Sequence, residues 1–198
     1  MWHHFGPHAL PLEPTEKTGV AGHNPDEWRN TFLADENGQL YVLGSYIFSC
    51  VREAAKFTKI QKRSATHYVS ATLEVEENRV FLDRYMPKNY KEMKTEEFPK
   101  DPTLPVYLDV RGVVVNRSRH IRYRVAASPS WRLTFHILWD PTIVARNVMQ
   151  SIVNDAGELC GIGDGRNIGF GRFEVERFEV LEDAEEATSK GGMEREKA

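Results

Sequence analysis

Residues 161–180 read GIGDGRNIGFGRFEVERFEV. The first half carries five glycines in eleven residues (Gly161, Gly163, Gly165, Gly169 and Gly171), and the second alternates apolar and charged side chains as a strand does. Glycines at this density let the backbone take positive φ and let another backbone come close. N–H groups exposed in such a loop form a concavity suited to anions. Arg166 and Arg172 add charge-assisted donors, Asn167 stands among the same contacts, and Phe170 offers a stacking face. The competing reading is a tight connection packed on a sheet with no ligand. Two familiar loops are excluded. A phosphate-binding P-loop needs Gly-Lys-Ser/Thr after its last glycine, and a dinucleotide fingerprint needs strand, glycines, then helix. Here a helix precedes the loop and a strand follows.

Upstream, residues 131–139 (WRLTFHILW) alternate as a strand. Asp140-Pro141 then reads as a helix start, with a carboxylate cap and proline at the first helical position. Ile143, Val144, Val148, Ile152 and Val153 supply the apolar stripe, and Gly157 the C-cap. Residues 106–115 and 120–125 are β-rich and joined by a polar turn at 116–119. Between 104 and 132 lie six arginines (Arg111, Arg117, Arg119, Arg122, Arg124, Arg132) against one acid, Asp109. A ribbon this basic, with few clustered acids elsewhere in the body to pair it, points to a polyanion.

Nearer the N-terminus, 45–57 reads as a helix with Ile47, Val51, Ala54 and Ala55 on one face. A second basic cluster of Arg52, Lys56, Lys59, Lys62 and Arg63 faces only Glu53. Residues 66–75 alternate as a strand, with 79–83 as a hairpin partner across Glu77-Asn78. Residues 39–43 make a short strand, and 25–33 a short helix capped by Asp26 and Glu27. The expected layout is an N-terminal arm or loops over 1–38, one domain over 39–180 with a mobile insertion at about 84–105, and a disordered acidic tail over 181–198. The fold class is α+β, a modified ferredoxin-like or RRM-like βαββαβ unit with insertions.

Bulk properties narrow the class. The net charge of -3 is uneven: nine acidic and four basic residues from Glu174 onward leave the first 173 residues with 22 basic against 20 acidic. No apolar run is long enough to span a bilayer, and the N-terminus MWHHFGPHALPLEP does not read as a signal peptide. Cys50 and Cys160 sit in apolar stretches without ligand spacing and read as buried thiols, which suits a reducing cytoplasm. No cofactor or metal is expected.

A helix ending in Asp155-Ala-Gly, then Gly161-Ile-Gly, Gly165-Arg166 and Gly169-Phe-Gly-Arg-Phe173, resembles the glycine-rich signature of the RAMP superfamily of CRISPR-associated proteins. The likeness is close over residues 130–175, with a weaker echo at 46–57 (YIFSCVREAAKF). It implies a modified RRM-like fold, RNA contacted through its phosphates, and head-to-tail assembly with further copies and other RAMP-type subunits. The N-terminus departs from the pattern, because no first strand is evident there, so the family's first-strand RNA contacts do not carry over.

The resemblance also frames the question of catalysis. RAMP nucleases that process CRISPR RNA use an N-terminal histidine as general base, a role open to His23 or to His3, His4 and His8. Some backbone subunits cut RNA with a loop aspartate, a role open to Asp35. The histidines lie in Pro/Gly-rich sequence and Asp35 stands in a lone acidic loop, so a non-catalytic RNA-binding subunit is the expectation. The alternatives are a metal-independent endoribonuclease and a phage interaction protein on the same fold. His67 is expected to open the 66–75 strand, and His136 to lie on the polar face of 131–139.

Overall fold

Trp28 is completely buried, at the meeting point of segments far apart in sequence. The computed structural model describes residues 24–115 and 117–181. Trp28 lies in a 3-10 helix, Pro25–Asn30, whose cap is Asn24, with its side chain accepting the Asp26 N–H at 3.0 Å. Glu27 is not a cap. It turns inward, 1% exposed, because Arg122 supplies a counter-ion at 2.9 Å and the Tyr123 N–H a further bond at 3.0 Å. The Trp28 indole donates to Thr95 Oγ1 at 2.9 Å, and its ring meets Phe98 edge-on at 4.8 Å. The polar 84–105 stretch, expected to be mobile, is therefore anchored: Phe98 and Thr95 are buried among otherwise solvated neighbours.

The strand β1, Gln39–Leu43, leads directly into α1, Gly44–Ala54. Gly44 stands where a Cβ would lie 2.1 Å from the Glu77 carbonyl, so the strand-to-helix corner requires glycine. Ile47, Cys50, Val51 and Ala54 form the buried stripe of α1. A two-residue ladder, β2 (Lys59–Ile60) with β3 (Arg63–Ser64), follows, turning through Gln61 and Lys62, both at positive φ.

Residues expected as a strand instead form α2, Thr66–Thr72. Val69 and Leu73, four residues apart, are its inward anchors. The hydroxyls of Ser70 and Thr72 bond the carbonyls four residues back, at 2.7 and 3.0 Å, which lets these weak helix formers fit. His67 accordingly sits exposed on a helix. The next strands are β4, Glu74–Val75, and β5, Arg79–Tyr85; β5 pairs antiparallel with β1 rather than with the 66–75 segment.

The ribbon is as expected. β6, Val106–Val115, and β7, Ser118–Ala127, pair along their whole length, with Arg117 at positive φ in the turn. Its base is buried through Leu108 and Val125, while Val114 near the tip is 71% exposed. From 131 to 139 burial alternates residue by residue, as the sequence predicts, yet only β8, Ile137–Leu138, forms a ladder, against β4. Elsewhere the contact to β5 is an isolated Leu82–Leu133 bridge, and carboxylates take N–H groups of the segment: Asp83 accepts the Arg132 N–H at 2.7 Å and Glu77 the His136 N–H at 2.9 Å.

Asp140 caps a turn through the Thr142 N–H and hydroxyl, and α3 begins later, at Arg146–Asp155. Gly157 does not end that helix. The chain widens into a π-helical turn, Ala156–Cys160, because Gly157 is pressed against Phe173, whose carbonyl would lie 2.2 Å from a Cβ. Residues 173–180, expected as the last strand, form none: the Phe173 N–H to Gly157 O bond is their one described backbone bond. The result is an α+β fold of helices and small antiparallel sheets. Among the described residues no helix is long and apolar enough to cross a membrane.

Candidate nucleic-acid interface

The glycine loop is built first as a piece of packing. Gly161 and Gly171 face each other: the Ile162 N–H donates to the Gly171 carbonyl at 2.9 Å, and a Cβ on Gly171 would stand 1.8 Å from the Ile162 carbonyl. Gly161, Gly163, Gly165, Gly169 and Gly171 all have positive φ. Several loop N–H groups are spent internally, those of Ile168 and Phe170 on the Gly165 carbonyl and that of Gly165 on Asp164. The close backbone approach read from the sequence is thus an approach of the loop to itself. Gly169 faces open space, with nothing within 4 Å of a Cβ.

Two contacts orient the loop. On one side Arg166 donates to Glu53 of α1 at 2.7 Å, holding the carboxyl below its ordinary value; Glu53 also takes Lys56 at 3.4 Å. Arg166, Arg172 and Lys56 all lie close enough to Cys160 to act on its thiol, which burial pushes up overall. The loop cations and Lys56, two residues past α1, are therefore neighbours. Beyond them Arg52, Lys59, Lys62 and Arg63 are exposed, and neither they nor Arg172 form an ion pair among the described residues. Cys50 is buried under this junction, its Sγ 3.1 Å from the Gly161 carbonyl and its pKa pushed to about 12 by burial.

On the other side the loop meets the ribbon. Arg124 reaches Asp164 at 3.0 Å, and the Arg111 guanidinium lies 4.7 Å over the Phe170 ring while pairing with Asp109. The expectation that the ribbon arginines lack acidic partners is overturned: Arg111, Arg122, Arg124 and Arg132 pair with Asp109, Glu27, Asp164 and Glu176. Three of those acids come from distant sequence, which is why composition hid them. Arg117 and Arg119, exposed at the tip, have no ion pair among the described residues.

Between ribbon, loop and the 131–136 segment opens a cleft of about 1160 Å3, lined by Tyr107, Trp131, Phe135, Phe170, Arg172 and Phe173 among others. The Arg132–Glu176 pair, 3.2 Å apart and mostly exposed, links its two extended walls. His136 lies on the exposed face, as expected, with Nδ1 2.5 Å from Glu77. Asn167 sits exposed in the short 3-10 turn Arg166–Ile168.

Of the catalytic candidates, Asp35 falls among the described residues and is engaged in local hydrogen bonds. Asp35 closes a turn, its Oδ1 accepting the N–H groups of Asn37 and Gln39 at 2.9 and 2.7 Å. His23, with His3, His4 and His8, lies outside the described residues. Among the described residues no cluster of His, Cys, Asp and Glu could hold a metal ion. The sequence marks Glu53 only as the acid within a basic cluster and does not single out Asp164, yet both fasten the loop. A lone acid inside each basic or glycine-rich run was the available signal. No protein-family model matches the chain, and no curated protein is significantly similar to it.

Proposed function

We propose that this chain binds single-stranded RNA through its phosphates, without cutting it, as a cytoplasmic RAMP-type subunit that assembles in several copies and with related subunits along the RNA. One observation carries the reading. The glycine loop is fastened through Arg166 to Glu53, which brings Arg166 and Arg172 beside Lys56; with the exposed Arg52, Lys59, Lys62 and Arg63 nearby in sequence, these form the proposed basic surface. Such a surface follows a polyanion by charge rather than by sequence. The fold proposed with it is the modified RRM-like βαββαβ unit, from which the antiparallel pairing of β1 with β5 departs.

The test is RNA binding by purified protein across a salt series and a range of RNA lengths. Arg172→Ala is expected to weaken binding and reduce the salt slope by about one counterion. Light scattering is expected to show mass rising in steps with RNA length, because linked sites gain by effective concentration. One protein per RNA at every length would remove the assembly. Unchanged affinity and slope in Arg172→Ala would remove the phosphate role, and RNA cleavage lost in His23→Ala would assign the endoribonuclease instead.

A further inference from the structure

The exposed face of β5 presents a surface that the basic side does not explain. Along β5 the residues Val80 and Leu82 point into the core, while Arg79, Phe81, Asp83 and Tyr85 are exposed. Phe81 stands directly opposite Tyr41 of β1, with ring centroids 5.6 Å apart, and the Arg79 guanidinium lies 5.2 Å over the Tyr41 ring. Tyr41 is buried beneath this layer, leaving Phe81 40% and Tyr85 56% exposed. A hollow of about 400 Å3 opens beside Phe81, lined also by Arg79, Tyr41, Asp35, Glu36 and Asn37.

We propose that this hollow receives an unpaired base of the bound RNA, stacked on Phe81, with Tyr85, exposed on the same strand face four residues on, as the platform for a second base. The inference rests on the RNA-binding reading and adds to it a place where bases, rather than phosphates, are held. The charge pattern selects the occupant. Two carboxylate residues in the lining, Asp35 and Glu36, repel a phosphate, so the backbone stays outside. The aromatic wall with a guanidinium beside it suits a flat π-system more than an aliphatic side chain. Asp35 is committed to its turn and the Asn37 amide N–H lies 3.4 Å from Asp35 Oδ2, which leaves the Glu36 carboxylate and the Asn37 carbonyl as acceptors. Acceptors at the base edge favour an exocyclic amino group, as on adenine and cytosine, over uracil, whose carbonyls they repel.

The experiment compares oligoadenylate, oligocytidylate and oligouridylate of one length on wild type and on Phe81→Leu, Tyr85→Leu and Glu36→Gln. The aromatic changes are expected to lower affinity about tenfold, the size of one base–aromatic stack, and to leave the salt slope unaltered because no phosphate contact is lost. Glu36→Gln is expected to narrow the preference for the amino-bearing bases severalfold. Tyr85→Leu, at the more exposed position, keeps the test valid if Phe81→Leu does not fold. Unchanged affinity in natively melting Phe81→Leu or Tyr85→Leu overturns the proposal while a loss in Arg172→Ala leaves RNA binding standing. Lost self-association without lost RNA affinity overturns it in favour of a protein contact. Wild-type protein that binds none of the three RNAs overturns both readings.

Discussion

The α-carbon of Gly171 rests against the carbonyl oxygen of Ile162, so closely that a Cβ would stand 1.8 Å away. Alanine at 171 must break the Ile162–Gly171 bond and also hold φ near +72. We expect Gly171→Ala to cost on the order of 3 kcal/mol by denaturant titration. Gly169→Ala, at φ +94 but facing open space, is expected to cost only about 1–2 kcal/mol. Equal costs would mean that packing does not set the loop.

The ribbon arginines divide into two kinds. Arg122→Ala removes the 2.9 Å counter-ion of Glu27, whose side chain is 2% exposed. We expect a loss of about 3 kcal/mol and a lowered melting temperature. Arg119→Ala, at the exposed tip, should leave stability within about 0.5 kcal/mol and reduce the salt slope of RNA binding by about one. A stability loss at Arg119 would contradict this division.

Glu53 is the described acid that interrupts the basic surface. Glu53→Gln releases Arg166 and Lys56, both half-exposed, so we expect a stability loss under about 1 kcal/mol. RNA affinity should rise severalfold with a steeper salt dependence. A fall in affinity would show that positioning Arg166 outweighs the charge removed.

The His136–Glu77 pair gives a pH signature. The bond to Glu77 raises the His136 pKa above 6.5; for Glu77 burial acts upward, but the bonds from His136 prevail and bring it below 4.5. The contribution of the pair is complete between those two values. It declines as pH rises through the raised histidine pKa, and again as pH falls through the lowered glutamate pKa. Melting temperature against pH in wild type and His136→Asn should differ most inside that window. Parallel curves would exclude the pair as a source of pH dependence.

Local patterns were legible in the sequence, and long-range partners were not. The ribbon, α1 and the 131–139 alternation follow from periodicity, because each buries a face that neighbouring residues define. The 66–75 segment misled because Val69 and Leu73 satisfy both the alternating and the four-residue spacing, and the core chose the second. The glycine loop was legible as a close approach, though not as one between Gly161 and Gly171. The ion pairs Arg122–Glu27 and Arg166–Glu53 join residues 95 and 113 positions apart, beyond any local pattern. The Phe81 hollow was hidden because RVFLDRY reads only as a strand and does not reveal which face stays uncovered.

The 3-10 segment at the start of the described chain also guards an edge. The Tyr123 and Val125 N–H groups point away from β6 and are taken by the Glu27 carboxylate at 3.0 Å and the Thr31 hydroxyl at 3.0 Å. Side-chain oxygens here occupy positions that the backbone of an intruding strand would need. A ribbon ten residues long on each strand is a ready template for adventitious sheet growth. With its inner donors already engaged, β7 offers an incoming strand only its outer half, where the twist of a two-stranded ribbon is least suited to a flat, continuing stack.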